Sequence, residues 1–311
     1  MLKLTRFPVG VATRWSMRTL ATEVSQVSGH PQPQPSATGS EGSNETLKKF
    51  WTKVDLVKND SSYELQLDNK SLRTPLGNNL SIPLSRGVLA HMLLHEWSSL
   101  SGVIKTHSLP LTSLTSRAID LKFANEQNDE QAITKVGKRS DIIEMLLRYL
   151  DTDTLLVFSP AKEYEGTLRK AQEDLYRPVI KSVEGLLGGQ LSYLDSDRDG
   201  LRGNRQSDET RAKAREWLNA LSYWDLVAFE KVTLTTKSFI CGVLVVCSKS
   251  SHGLSHPQLN ISLEEIAHLA SLEIVYQTER WGEVEDTHDV DYQDLRRNIN
   301  SAAMLCYEER A

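Results

Sequence analysis

The hydrophobic pattern of this chain changes period once, at Pro83, and that change dictates a fold in two parts. Upstream, Val54 and Leu56, then Tyr63, Leu65 and Leu67, alternate with polar residues, so every second side chain lies on one face of a strand. Asn59-Asp60-Ser61-Ser62 separates the two runs and predicts a hairpin. Asp68-Asn69-Lys70 offers a second turn, Leu72-Arg73-Thr74 a short strand stopped by Pro75, Gly77-Asn78 a third turn, and Leu80-Ser81-Ile82 a strand stopped by Pro83. Proline ends both because it has no N–H to give a ladder. We therefore expect an antiparallel meander over residues 47–83, with order beginning near Phe50 and Trp51.

Downstream the spacing becomes helical. Ser85 can cap a helix whose Val88, Leu89, Met92, Leu93, Trp97 and Leu100 form one apolar stripe, closed by Gly102. Further helices are expected over 110–125, 129–150, 164–187, 207–221, 223–248, 262–281 and 291–307, with a short strand at 190–194 inside the weakly patterned segment 188–203. A β region followed by helices is an α+β fold with segregated parts. We read a small N-terminal antiparallel β domain, residues 47–84, followed by a larger all-helical domain, residues 85–311.

Two segments precede the β region. The first 22 residues hold Lys3, Arg6, Arg14 and Arg18, no acid, and scattered Ser, Thr and large apolar residues, the composition of a mitochondrial transit peptide. Residues 23–46 include Ser28-Gly29-His30-Pro31-Gln32-Pro33-Gln34-Pro35-Ser36, which has little to bury and reads as a disordered linker. Losing those four cations takes the formal net charge of the 311-residue chain from −5 to −9. Such a balance argues against general nucleic-acid binding, which needs clustered Lys and Arg. The longest apolar run, 239–247, is far shorter than the roughly 20 residues that span a bilayer, so no membrane insertion is expected. Cys241, Cys247 and Cys306 form no CxxC pair and an odd set, which suits buried thiols in a reducing compartment.

Chemistry-bearing patterns are sparse. The phosphate-cradling GxxxxGK[ST] and GxGxxG patterns and the nucleophile elbow GxSxG do not occur. Asp195-Ser196-Asp197-Arg198-Asp199-Gly200 begins like a calcium loop, but Gln206 stands where the bidentate carboxylate belongs. His91 and His95 share a helix face without the order of a zinc protease motif or an evident third ligand. The dense feature is instead the run from Glu283 to Asp294, where Glu283, Glu285, Asp286, Asp289, Asp291 and Asp294 place six carboxylates within a dozen residues. Ser262-Leu263-Glu264-Glu265 reads as a capping box opening a helix with Ile266, Leu269, Ala270 and Ile274 at helical spacing, and Gly282 ends it. A second helix restarts near Asp291 and Asp294, so the acids occupy a short helix-to-helix loop. Like charges resist burial, and such a loop faces solvent or an oppositely charged partner.

Several separated blocks resemble one family. Glu279-Arg280-Trp281-Gly282-Glu283-Val284-Glu285-Asp286-Thr287-His288-Asp289-Val290-Asp291-Tyr292-Gln293-Asp294-Leu295-Arg296-Arg297 is similar to the signature of the mitochondrial F1-ATPase assembly chaperones that act on the alpha subunit. Phe50-Trp51 with Leu72-Arg73-Thr74-Pro75, His107-Ser108-Leu109-Pro110-Leu111-Thr112-Ser113-Leu114, Arg117-Ala118-Ile119-Asp120, Leu150-Asp151-Thr152-Asp153-Thr154, and Trp224-Asp225 through Thr235-Thr236-Lys237-Ser238 agree in order and spacing. The resemblance covers about residues 50–305.

It implies a matrix protein without enzymatic turnover, built from an N-terminal β domain and a larger helical one, that holds the free alpha subunit until beta subunits replace it. The signature carries over to Glu279, Trp281, Glu283, Glu285, Asp286, His288, Asp289 and Asp291, which we take as candidate partner-binding residues. The same residues have a structural reading, in which Trp281 and His288 pin the loop and Asp291 and Asp294 cap the last helix. We expect a monomer when free, with no cofactor and no metal. The alternative is a metal-dependent hydrolase using loop 283–291, with Glu285, Asp286, Asp289 and Asp291 around Mg²⁺ or Ca²⁺ and His288 as acid or base. A third reading is a permanent structural subunit of a mitochondrial complex.

Overall fold

The computed structural model describes residues 48–102, 104, 108–200, 203–250, 257–284 and 287–309. The transit-peptide and linker readings, together with His107, Glu285 and Asp286, fall outside the described residues.

Four antiparallel strands form the N-terminal sheet: β1 (Val54–Lys58), β2 (Ser62–Leu67), β3 (Lys70–Ser71) and β4 (Ser81–Pro83). β2 is its hub, pairing β1 from Val54 opposite Leu67 to Lys58 opposite Tyr63. The expected meander is modified at this point. β3 is only two residues long and covers Gln66 and Leu67, so β4 returns to fill the remaining edge at Ser62–Glu64 of β2. Asp68 and Asn69 both have positive φ, at 46° and 67°, as a two-residue primed hairpin turn requires. The Asp68 carboxylate accepts the backbone N–H of Lys53 at 2.8 Å and of Thr52 at 3.1 Å, tying the entering chain to that turn.

The helices are α1 (Gly87–Ser98), α2 (Pro110–Glu126), α3 (Glu130–Val136), α4 (Arg139–Asp151), α5 (Thr167–Leu187), α6 (Ser196–Asp199), α7 (Asp208–Ala220), α8 (Tyr223–Thr236), α9 (Phe239–Lys249), α10 (Leu263–Trp281) and α11 (His288–Cys306). Two stretches expected as single helices are broken. Gly137, at φ 93°, separates α3 from α4, and the Asn125 side chain holds the break by accepting the Arg139 N–H at 2.8 Å. Lys237, at φ 59°, separates α8 from α9, and Ser238 caps the new helix by accepting the Cys241 N–H at 3.0 Å. The first helix stops at Ser98, and its core face is Leu89, Ala90, Leu93 and Trp97, whereas Val88 and Met92 are exposed. Of the strand expected at 190–194 only Leu194 lies in one: β6 (Leu194–Asp195) pairs in parallel with β5 (Val157–Phe158), and residues 190–193 are irregular.

All of Phe239 through Cys247 is buried, which makes α9 the axis of the helical part. It packs against α8, which also meets α2 and α11. A second, smaller core joins the sheet to α1 and the start of α2 through Trp51, Leu65, Leu67, Leu72, Leu80, Trp97, Leu100 and Leu109. Polar ties cross the same junction. Buried Asp120 of α2 accepts from Thr74 Oγ1, from Asn78 Nδ2 at 2.7 Å and from the Leu76 N–H at 3.2 Å. Arg86, between β4 and α1, is fully buried and donates to the Leu305 carbonyl and to Glu308 at 2.7 Å, so the segment at and after the end of α11 clamps the β4–α1 junction. Among the described residues no helix is long and apolar enough to cross a membrane. Cys241, Cys247 and Cys306 are free and buried, and burial pushes the Cys241 and Cys247 thiols up to about 12.

Candidate functional site: the acidic tip between α10 and α11

The last two helices are rooted in the core at one end and leave it at the other. α10 opens on a two-way capping box, with Ser262 Oγ accepting the Glu265 N–H at 3.1 Å and Glu265 accepting the Ser262 N–H at 2.7 Å. It buries Ile266, Ala267, Leu269, Ser271 and Leu272 and then emerges from the core. Ile274, expected on the buried stripe, is exposed, because the helix has by then run past the elements that cover it. Tyr176 and Thr167 of α5 mark its path: the Tyr176 hydroxyl donates to the Leu269 carbonyl at 3.1 Å, and the Tyr276 hydroxyl to the Thr167 carbonyl at 3.4 Å. α11 is the reverse case, burying side chains only from Asn298 onward.

Gly282 ends α10 at φ 87°, with its N–H on the Thr278 carbonyl at 2.8 Å. The second helix begins earlier than expected, at His288, so Asp289 and Asp291 both lie in its first turn. Their charge there complements the unpaired N–H groups of the helix start. His288 is half-buried, and its Nδ1 accepts the Val284 N–H at 2.9 Å, folding the loop back on the helix. Glu279, Trp281, Glu283, Asp289 and Asp291 are all exposed. Among the described residues none of the four acids in that set has a cationic partner within ion-pair distance. By contrast Asp294 pairs with Arg297, and Glu264 with Arg296.

The tip is apolar as well as acidic. Trp281 is 70% exposed, Val290 61% and Val284 59%, the three highest exposures among the large hydrophobic residues described. One residue that the sequence reading missed belongs here. Tyr164 was expected to open the α5 helix, but it stands outside, in a turn where Tyr164, Glu165 and Gly166 take φ of 47°, 55° and 80°. Its ring meets those of Tyr276 at 5.9 Å and Trp281 at 6.0 Å, edge to face. The only local signal was Gly166, a residue suited to a left-handed position just ahead of a helix.

Other candidate chemistry is structurally committed. Asp195 is held by Arg169 at 2.6 Å, which pulls its carboxyl down to about 2, and it also accepts the Asp197 N–H. Asp199 takes the Arg198 guanidinium. His91 Nδ1 lies 2.8 Å from the Gly87 carbonyl within its own helix. No group of three or more His, Cys, Asp or Glu poised for a metal exists among the described residues. Glu96 is likewise structural, accepting the N–H groups of Leu111 and Thr112 at 2.9 Å each, and burial raises its pKa.

Comparison with known proteins gives this architecture a class. The family model described as ATP12 chaperone protein matches residues 48–184. The chain is 49% identical over 278 residues to the mitochondrial ATP12 protein of Saccharomyces cerevisiae, covering 86% of each. It is 35% identical to the mitochondrial atp12 protein of Schizosaccharomyces pombe, over 94% of this chain and 91% of that one. The fold is shared with the crystal structure of Atp12 from Paracoccus denitrificans, with TM-score 0.63 and 22% identity over 83% of this chain and 96% of that one. The class is therefore that of a chaperone, with a small antiparallel sheet set on a larger helical body. The chain belongs to the ATP12 chaperone family.

Proposed function

We propose that this protein is an assembly chaperone of the mitochondrial F1 ATP synthase sector, acting in the matrix on the free alpha subunit and yielding it when beta subunits arrive. Residues 1–22 direct its import, and it works as a monomer without turnover. Its relatives' names support a mitochondrial location, and family membership supports the chaperone role. A subunit of a ring exposes interface surface before assembly, and such surface drives aggregation. A protein that masks it must bind selectively and still let go. Charge complementarity suits that task, because it raises association rate and selectivity more than final affinity.

The observation that carries the reading is the tip itself, where Glu279, Glu283, Asp289 and Asp291 are exposed without ionic partners among the described residues, beside exposed Trp281. A solvated structural loop has no need of bare apolar surface there. The test is refolding of denatured alpha subunit into buffer with and without an equimolar amount of the full chain, followed by light scattering. Scattering should fall with the chain present, and added beta subunit should release alpha into a complex that excludes the chaperone. Equal aggregation in both arms would reject the proposal.

A further inference from the structure

We infer that the rings of Tyr164, Tyr276 and Trp281 form an aromatic platform that receives a large apolar side chain from a basic segment of the client. The inference rests on the chaperone reading and extends its contact surface from the acidic loop to the start of α5. Three independent features support it. Trp281 is the most exposed large hydrophobic residue among those described, at 70%, although Tyr164 flanks it. A ring that served only to pin the loop would be covered.

The second feature is the backbone that presents Tyr164. Left-handed φ is disfavoured for residues with a Cβ, yet Tyr164 and Glu165 adopt it in succession ahead of Gly166. The turn is fixed locally, with Thr167 Oγ1 donating to the Tyr164 carbonyl at 2.6 Å. Its effect is to carry the Tyr164 ring to Tyr276 and Trp281. Strain of this kind persists where the resulting geometry is used.

The third feature is charge. Glu163 and Glu165 flank Tyr164, and Glu279 and Glu283 flank Trp281; all four are exposed, and none has an ionic partner among the described residues. The rings also accept a guanidinium, since Arg280 lies 5.3 Å from the Tyr164 ring centre and 6.0 Å from that of Trp281. Apolar rings rimmed by carboxylates fit a segment in which a bulky apolar residue neighbours Lys or Arg.

The experiment immobilises the full chain and measures binding of unassembled F1 alpha subunit to wild type, Trp281→Ala, Tyr164→Ala and Trp281→Phe, with circular dichroism confirming that each variant is folded. Each alanine variant should weaken binding about tenfold, as loss of a central aromatic contact does, and Trp281→Phe should retain most of it. Trp281 is exposed, so its replacement keeps the test valid even if Tyr164→Ala disturbs the turn. A photo-crosslinking amino acid placed at position 281 should capture an alpha segment with Lys or Arg beside a large apolar residue. Wild-type affinity in Trp281→Ala, or capture of an acidic segment, would overturn the platform while leaving the chaperone reading intact. No binding of alpha to wild type would overturn both.

Discussion

Asp153 shows how a single buried carboxylate organises the core. It is fully buried and accepts the N–H of Leu155 at 2.9 Å and that of Ile240 at 2.8 Å, so it pins the start of α9 to the turn after α4. Burial raises its pKa from 3.8 to about 6, with the N–H bonds pulling partly back. A carboxyl with a raised folded-state pKa binds its proton more readily in the native state than in the unfolded one. Its contribution to stability is therefore full below 3.8 and is lost as pH rises through about 6. Asp153→Asn should flatten the pH dependence of urea-unfolding stability across that window by up to roughly 3 kcal/mol; unchanged slopes would show that the carboxyl is not protonated there. Trp97 is the second case. It is buried, lies 5.1 Å from the Trp51 ring, and donates Nε1–H to Thr112 Oγ1 at 2.8 Å. Trp97→Ala should cost about 3–5 kcal/mol in the same unfolding measurement. Its place on the buried stripe was legible from spacing, whereas its hydroxyl partner, fifteen residues away, was not.

Between elements, the limits of a one-dimensional pattern become visible. The strands and the capping box of α10 could be read because each depends on neighbours in sequence. The two broken helices could not. In 223–248 the polar run Thr235-Thr236-Lys237-Ser238 is the longest interruption, four residues that a helix surface also accommodates, and Lys237 turns left-handed there ahead of the Ser238 cap. Gly242 lies where α9 meets α8. A Cβ added there would stand 2.6 Å from Thr233 Oγ1 and 2.8 Å from the Phe229 ring, so the two helices approach closely only because it is glycine. Gly242→Ala should destabilise the protein by about 1–3 kcal/mol, read as a lowered urea midpoint with an unchanged slope. Of the acids expected on a helix-to-helix loop, Glu283 lies between the helices, whereas Asp289, Asp291 and Asp294 lie within α11, which starts three residues earlier than expected. The neighbouring Tyr164 was not foreseen, because its approach to Trp281 depends on how α5 and α10 pack.

For the molecule as a whole, a packed body of sheet and helices carries an exposed acidic and apolar tip. The sheet and helices are joined by the Asp120 and Arg86 networks and by the Trp51–Trp97 core, so the tip is presented by a connected scaffold. Charge reversal at the tip should leave that scaffold folded, since the exposed carboxylates make no ion pairs among the described residues and losing an acid from the first turn of α11 costs only about 1 kcal/mol. Client binding should instead suffer. The decisive measurement is co-expression of the F1 alpha subunit with this chain, without beta, comparing wild type with Glu283→Lys/Asp289→Lys. With wild type, alpha should remain soluble and co-purify. With the folded double variant, most of that soluble alpha should be lost. Alpha that stays equally soluble with both would contradict recognition through the tip, and alpha that aggregates with both would contradict the assembly role itself.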